Sequence, residues 1–463
     1  MGAMLPNDFM FLDAEGREKP MHVGGLQLFQ PPPDAGPDFA GRILRAMVAH
    51  DDIDPRLRHR PVRMAGGIGP WSWEEDPDLD VEYHVRHSAL PHPGRIRELL
   101  ALTSRLHGTM LHRSRPLWEA HLIEGLEDGR FALYTKIHHA LVDGMTAMRM
   151  LQESLTTDPD LRDMLPPLSR HPRPARDPGQ PKAAQNPISR AAELLGGTVT
   201  GALDTGRAVI GSTESAAKAF WRSFGDEAVA FPYRAPRSIL NVPISGARRF
   251  AADSYDLQRV DAVRSATGAT LNDVLMGMCG GALRAYLTDI GELPDDPLIA
   301  CVPVALKKEE GGSGGNAVGV VLCNLGTHLD DPADRFELIR ESMRQGKLRF
   351  EGLNPIGQLL LSGLAFAPLA LGPLFRFEQL RRPPFNLVIS NVPGPRQAMY
   401  YDGAKLDGLY PLSIPTDGQA MNITANTYDG KLNIGLTGCR RSVPSLQRLL
   451  EHLDTALTEL EAL

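Results

Sequence analysis

The chain has 463 residues, 42% of them hydrophobic, and this length suits two sizeable hydrophobic cores rather than one. Its formal net charge of -7 at pH 7 gives no overall basic field, so nucleic acid is not an expected partner. The four cysteines lie far apart and form no CxxC pair, which predicts buried free thiols and no metal site.

The first part of the chain mixes strand-like and helical patterns. The segments MHVGGLQLF (21–29) and RFALYTKI (130–137) predict strands, whereas FAGRILRAMVAH (39–50) and RIRELLALTSRLHGTML (95–111) predict amphipathic helices. Such mixing is typical of an α/β sandwich. Acidic residues stand near the N-terminus where an export signal would be hydrophobic, so we expect a cytoplasmic protein.

A proline-rich segment divides the chain. The residues PPLSRHPRPARDPGQPKAAQNP (166–187) cannot build a core, which indicates a linker or a crossover between two domains. We therefore predict an N-terminal domain at 1–157, a linker with crossover helices at 158–235, and a C-terminal α/β domain at 236–463.

The second half repeats the mixed character of the first. The segment GATLNDVLMGMCGGALRAYL (268–287) predicts a helix that is capped by Thr270 or Asn272. The segment FNLVISNV (385–392) predicts a strand, and Asp429 with Gly430 predicts the turn of a hairpin.

One apolar run, Leu359 to Phe375, stands out in this half. It is shorter than the roughly 20 residues that span a bilayer, and prolines interrupt it. Because arginines follow it, the run suits an apolar hairpin resting on an anionic lipid surface. A buried hairpin of the second domain explains the same pattern equally well.

The segment YTKIHHALVDGMTAM (134–148) carries the clearest chemical signal. His138 and His139 end a predicted strand, and Asp143 and Gly144 stand where the next helix begins. Two buried core histidines, a metal site, or a general base for acyl transfer would each explain the doublet, but no second ligand motif supports a metal. Gly144 permits backbone angles that a side chain would forbid, and Asp143 suits a helix cap.

Several motifs together carry a resemblance to a known family. HHALVDG (138–144) matches the HHxxxDG motif of the chloramphenicol acetyltransferase-like superfamily, which includes condensation domains and acyl-CoA-dependent acyltransferases. With PMHVGG (20–25), RPLWEAHLIEGL (115–126), TLNDV (270–274) and SNVPGP (390–395), the chain resembles the bacterial wax ester synthase/diacylglycerol acyltransferase family. The motifs occur in the family's order over nearly the whole chain.

The resemblance implies two chloramphenicol acetyltransferase-like α/β sandwich domains with an active-site tunnel between them. Acyl-CoA would be the co-substrate, with no cofactor, and a long-chain alcohol or diacylglycerol the acceptor. His139 would be the general base, with His138 as its supporting neighbour and Asp143 as the brace of their loop. The protein would associate peripherally with the inner membrane or lipid droplets.

Three further residues are candidates for substrate binding: Gly144, Asn272 and Asn391. Asn272 suits an oxyanion donor but also a helix cap, and Asn391 lies in a segment suited to lining a channel but also to a turn. The chain departs from the family at one position, because Lys307 stands where members often carry arginine. Lysine lacks the planar guanidinium group that pairs with a carboxylate through two hydrogen bonds.

Two other functions fit parts of the sequence. A condensation-type acyltransferase would use carrier-protein thioesters, but the PMHVGG and PLWE segments and the absence of an appended carrier domain argue against it. A non-catalytic lipid-droplet binding protein would explain the apolar run at 359–375 without any turnover.

Overall fold

The computed structural model describes residues 2–4, 6–63, 69–171, 228, 230–305, 318–352 and 382–463. Most of the predicted linker with its crossover helices, Lys307, and the apolar run at 359–375 lie outside these residues. In the first half the elements are β1 (Gly2–Ala3), α1 (Pro6–Ala14), β2 (His22–Gln30), α2 (Phe39–Ala49), β3 (His59–Arg63), β4 (Trp71–Glu75), α3 (Val81–His84), β5 (Val85–Ala89), α4 (Ile96–His107), β6 (Trp118–Glu124), β7 (Phe131–His138) and α5 (Gly144–Glu153).

The second half contributes β8 (Arg248–Asp256), α6 (Leu257–Thr267), α7 (Leu271–Asp289), β9 (Ile299–Ala305), β10 (Val318–Asn324), α8 (Pro332–Gly352), β11 (Leu387–Pro393), β12 (Tyr400–Tyr401), β13 (Ala404–Leu412), β14 (Met421–Tyr428), β15 (Lys431–Cys439) and α9 (Arg448–Glu461). The predicted mixed α/β fold is confirmed. The hairpin turn is confirmed too, because Asp429 and Gly430 join β14 to β15 with φ angles of 44° and 74°.

The first large sheet has six strands in the order β12-β13-β2-β7-β6-β5. Its central strands, β2 and β7, are antiparallel, with His22 opposite His138. Helix α2 packs Phe39, Ile43 and Met47 onto one face, because these residues recur at helical spacing. Helix α4 packs Leu99 onto the other face, so the sheet is covered on both sides.

The second large sheet has the order β10-β9-β11-β14-β15-β8, with β11 parallel to both of its neighbours. Its largest apolar core lies between the sheet and a layer that includes α7, α8 and α9. Thr270 caps α7, whose glycines let α9 approach closely: a Cβ on Gly281 would lie 2.8 Å from the Cβ of Ala456.

Two strands of the second half belong to the first sheet. β13 pairs with β2 along its length, and β12 pairs with β13 at the sheet edge. Residues 400–412 of the predicted C-terminal domain (236–463) therefore belong to the sheet of the N-terminal domain. A division of the chain into consecutive domains does not anticipate this exchange. No helix within the described residues is long and apolar enough to cross a bilayer.

Gly435 lets the exchanged strand cross the second sheet. A Cβ at this position would overlap the carbonyl oxygen of Pro411 in β13 and would come within 3.2 Å of the Phe250 ring. Backbone atoms cannot move aside as a flexible side chain can. The two sheets therefore approach this closely only because residue 435 has no side chain.

We expect Gly435→Ala to lower the free energy of unfolding by about 1–3 kcal/mol, because an added methyl forces the crossing strands apart. Urea denaturation measures this loss. Gly36→Ala is the matched control, since a Cβ on Gly36 meets nothing within 4 Å and its stability should stay near that of the parent. Equal stabilities for the two variants would contradict the account of the crossing.

Candidate active site

A cavity of about 400 Å³ lies between the two large sheets. Gln27, Thr135 and Ile137 line the side of the first sheet, and residues of β11 and β14 line the opposite side. Helices α1 and α5 also contribute to its walls, so both halves of the chain enclose it. Many of the lining side chains are apolar, among them Met10, Phe11, Met21, Val23, Leu133, Met148, Leu151 and Val388.

The two adjacent histidines point in opposite directions. Along β7, Leu133, Thr135 and Ile137 face the cavity, so the alternation of a strand carries His139 to the same side. The backbone N–H of His139 donates to the carbonyl of Met21 at 2.9 Å, and this bond extends the β2–β7 pairing past the strand end. His138 is fully buried on the other side.

The imidazole of His139 is neutral at physiological pH. Phe11 from α1 stacks on it with ring centroids 4.2 Å apart and an angle of 25° between the planes. Burial lowers the pKa of His139 to about 4; the carboxylate of Asp143 opposes this shift, and His138 adds to it. Because the ring still borders the cavity, it can accept a proton from a molecule bound there.

His138 joins a buried ionic assembly behind the cavity. Its Nδ1 accepts a hydrogen bond from the N–H of Ala140 at 3.1 Å, so the proton of the neutral ring is on Nε2. That nitrogen lies 3.4 Å from Oε1 of the buried Glu15, close enough for attraction but too poorly aligned for a hydrogen bond. Glu15 also accepts from Met21 N–H at 3.1 Å and from Arg113.

The charge of Glu15 is maintained by these contacts. Burial raises the pKa of Glu15, but His138, the Met21 N–H and Arg113 together outweigh burial and hold the pKa below its ordinary value. The carboxylate therefore connects His138 to Met21, the residue whose carbonyl holds the backbone of His139. This places His138 as a positioning residue rather than a group that reaches the cavity.

Asp143 caps helix α5. Its Oδ1 accepts a hydrogen bond from Thr146 N–H at 2.7 Å, which confirms the predicted cap. Gly144, the first helical residue, lines the cavity, but its φ is not positive, and a Cβ there would meet nothing within 4 Å. The helical backbone at Gly144 does not use the angles that only glycine permits, and its missing side chain leaves space at the cavity wall. Substrate binding by Gly144 stays a prediction.

Asn272 and Asn391 lie together but outside the lining of this cavity. Asn391 Nδ2 donates to Asn272 Oδ1 at 2.9 Å, which joins β11 to the start of α7. The alternative prediction that Asn272 caps the helix is wrong, because Thr270 and Asp273 form the capping box. The alternation of β11 places Ser390 and Val392, the neighbours of Asn391, at the cavity. Substrate binding by the asparagine pair stays a prediction.

The polar wall opposite His139 was missed in the sequence. Thr424 Oγ1 donates to Asn422 Oδ1 at 2.8 Å and lies 3.0 Å from Ser390 Oγ, and all three residues line the cavity. Polar residues at alternate positions of MNITANTY (421–428) were the available signal for a polar strand face. On the near wall, Oε1 of the buried Gln27 has no hydrogen-bond partner among the described residues.

Among the charged residues that line the cavity, Lys19 and Asp417 form an ion pair, and Asp143 is held as a helix cap. All four cysteines are buried as free thiols, as the sequence predicted. Within the described ranges, no group of three His, Cys, Asp or Glu side chains is placed to hold a metal ion.

Comparisons with known proteins agree with this geometry. Residues 4–275 match the wax ester synthase/diacylglycerol acyltransferase catalytic domain, and residues 314–461 match the WS/DGAT C-terminal domain. A protein of Mycobacterium tuberculosis named probable diacylglycerol O-acyltransferase tgs2 is 48% identical over 462 residues, which cover 100% of this chain and 99% of the relative.

Solved structures give the same result. A wax ester synthase/diacylglycerol acyltransferase from Marinobacter aquaeolei is 39% identical, with a TM-score of 0.79 and coverage of 100% of this chain and 99% of that one. The first condensation domain of the CDA synthetase shares the fold at 15% identity, with a TM-score of 0.56 and coverage of 100% and 96%. The predicted chloramphenicol acetyltransferase-like fold class is therefore confirmed.

We expect His138→Ala to lower the free energy of unfolding while the variant keeps measurable turnover. Removing the ring leaves the buried Glu15 with one partner fewer, which costs about 1–3 kcal/mol of unfolding free energy. Urea denaturation of the single variants and of the double variant with Glu15→Gln measures the coupling between the two residues. Parent-like stability with complete loss of turnover would contradict a positioning role for His138.

Proposed function

Since the chain belongs to the wax ester synthase/diacylglycerol acyltransferase family, we propose that it transfers a long-chain acyl group from acyl-CoA to the hydroxyl of diacylglycerol or of a long-chain alcohol. Diacylglycerol O-acyltransferase and wax ester synthase are the activities in the names of its relatives. The observation that carries the proposal is His139, a neutral imidazole that faces a largely apolar cavity. Acyl-CoA is the co-substrate, and the proposal includes no cofactor.

The proposed reaction is a direct acyl transfer with His139 as general base. A ring nitrogen of His139 removes the hydroxyl proton while the acceptor oxygen attacks the thioester carbonyl carbon. The tetrahedral intermediate then collapses as the carbon–sulfur bond breaks, and the imidazolium returns the proton to the departing thiolate of CoA. An ester and free CoA are the products, and no covalent enzyme intermediate forms.

Two further groups support this sequence of steps. In the polar wall, the hydroxyl of Thr424 donates to Asn422 Oδ1, so the side-chain amide Nδ2 of Asn422 is the hydrogen-bond donor for the oxyanion of the tetrahedral intermediate. The carboxylate of Asp143 favours the imidazolium that forms on His139, because it opposes the lowering of that pKa. Its cap on α5 also holds one wall of the cavity in place.

We also propose that the protein is cytoplasmic and associates peripherally with the inner membrane or with lipid droplets. Its proposed substrates are lipids, and its sequence contains the apolar run at 359–375 followed by arginines. Co-sedimentation of the parent chain with vesicles containing phosphatidylglycerol tests this. A chain that stays in the supernatant at low ionic strength would contradict it.

His139→Ala should lower the rate of ester formation by about 10²- to 10⁴-fold, the usual cost of removing a general base. The measurement is release of free CoA thiol from lauroyl-CoA with hexadecanol or diacylglycerol as acceptor. The unfolding midpoint should stay near that of the parent, because the ring faces a cavity. Absence of thiol release by the parent with every long-chain acceptor would refute the proposed activity, and a fully active variant would remove His139 from the role of base.

The low pKa of His139 predicts an unusual pH profile. The base must be unprotonated, and a pKa of about 4 keeps it so far below the ordinary value for histidine. We therefore expect kcat/KM to stay level from neutral pH down to about pH 5 and to fall only near pH 4. Initial rates measured across this pH range, with a parallel check of folding, test this. A fall in kcat/KM with its midpoint near pH 6.5 would show instead that a solvent-exposed histidine governs the rate.

A further inference from the structure

A second concave site lies beside the active-site cavity. It has a volume of about 340 Å³, and its lining includes Arg17, Glu18, Ser245, Gly246, Arg440 and Arg441. We call it the basic cleft. Three stretches that are far apart in the sequence meet there, so the concentration of arginines depends on the folded chain.

The positive charge of the basic cleft is largely uncompensated. Arg17, Arg440 and Arg441 are exposed, and none of them forms an ion pair with a carboxylate in the part of the chain that the structure describes. The carboxylate of Glu18 accepts a hydrogen bond from Gly246 N–H, which partly satisfies it. On a protein with a net charge of -7, three convergent free guanidinium groups are a local exception to the overall field.

Hydrogen bonds to backbone carbonyls hold the three stretches together. Arg440 N–H donates to the carbonyl of Ala247 at 2.9 Å, and the buried Arg248 donates to the carbonyl of Glu18 at 2.8 Å. A Cβ on Gly246 would come within 2.8 Å of the carbonyl oxygen of Arg17, so these chains approach as closely as glycine permits. The guanidinium groups therefore project from a braced framework.

The basic cleft and the active-site cavity share one segment. Arg17 and Glu18 line the cleft, Lys19 lines the cavity, and Met21 holds the backbone of His139. Four residues of chain span at most about 14 Å, which limits the distance from Arg17 to Met21. The extended pantetheine arm of CoA, which separates the thioester from the diphosphate, can cover a distance of this order.

We propose that the basic cleft binds the phosphate groups of acyl-CoA while the acyl thioester lies in the cavity beside His139. Planar guanidinium groups pair with phosphate through two parallel hydrogen bonds, which suits a ligand with several phosphate oxygens. The inference rests on the proposed acyl-CoA-dependent function. The same chemistry would also accept the phosphate of a lipid headgroup, so the experiment separates the two sources.

The test compares lauroyl-CoA with a truncated lauroyl thioester that lacks the nucleotide, the phosphates and most of the pantetheine arm. The Arg17→Gln/Arg440→Gln/Arg441→Gln variant should raise the KM for lauroyl-CoA about tenfold or more, because charge-assisted contacts to phosphate are lost. Its KM for the lauroyl thioester of N-acetylcysteamine, which has no phosphate, should equal that of the parent. The parent's KM for lauroyl-CoA should also rise with ionic strength, unlike its KM for the short thioester.

The matched control is Arg45→Gln/Arg97→Gln/Arg396→Gln, which removes three exposed arginines outside the basic cleft and changes the net charge equally. It should leave both KM values unchanged. Titration calorimetry with adenosine 3′,5′-bisphosphate should detect binding to the parent and to this control, and binding weakened about tenfold or more in the cleft variant.

Other outcomes overturn the inference in distinguishable ways. If the parent forms ester and the cleft variant keeps the parent's KM for both donors, the cleft does not bind CoA. If the cleft variant instead loses only co-sedimentation with phosphatidylglycerol vesicles, the cleft serves a lipid headgroup. If the parent forms no ester from either donor, the proposed function itself fails, whereas loss of adenosine 3′,5′-bisphosphate binding in the cleft variant would still support the phosphate site.

Discussion

The pairing of β2 with β7 is the constraint on which the rest of the site depends. His22 lies opposite His138, and the ladder continues to the bond from His139 N–H to the Met21 carbonyl. Because side chains alternate along a strand, a slip of one residue would turn His139 away from the cavity and bring His138 into it. The buried contact of His138 with Glu15, whose Oε1 also accepts the Met21 N–H, opposes such a slip.

Desolvation then gives the two histidines different chemistry. His139 borders an apolar cavity, where burial disfavours the imidazolium and leaves a neutral ring. On the other side of the strand, the carboxylate of Glu15 forms an ion pair with Arg113, and Nε2 of the neutral His138 lies 3.4 Å from it. The Glu15 carboxylate is therefore stabilised behind the site, while the ring that faces the cavity can accept a proton from a substrate.

The exchange of β12 and β13 makes the two halves one unit around the cavity. β13 completes the first sheet and crosses β15 at Gly435, so the walls of the cavity cannot separate without breaking strand pairing. The basic cleft forms near the same junction, where the residues that follow β15 meet the turn before β2. Closing the junction thus builds both the apolar site for an acyl chain and the charged site proposed for phosphate.

The sequence by itself determined the features that depend on local periodicity and turn chemistry. Alternating strands, the turn at Asp429 and Gly430, the cap by Asp143 and the mixed α/β character all follow from neighbours within a few residues, and the ordered motifs indicated the family.

The tertiary structure alone decided which face each residue of the site occupies. Asn272 pairs with Asn391 behind the wall, and Asn422 and Thr424 line the cavity. The entry of β13 into the first sheet and the convergence of Arg17 with Arg440 also depend on contacts across more than 370 residues. Strand order and side-chain facing result from packing between distant segments, which no local pattern encodes.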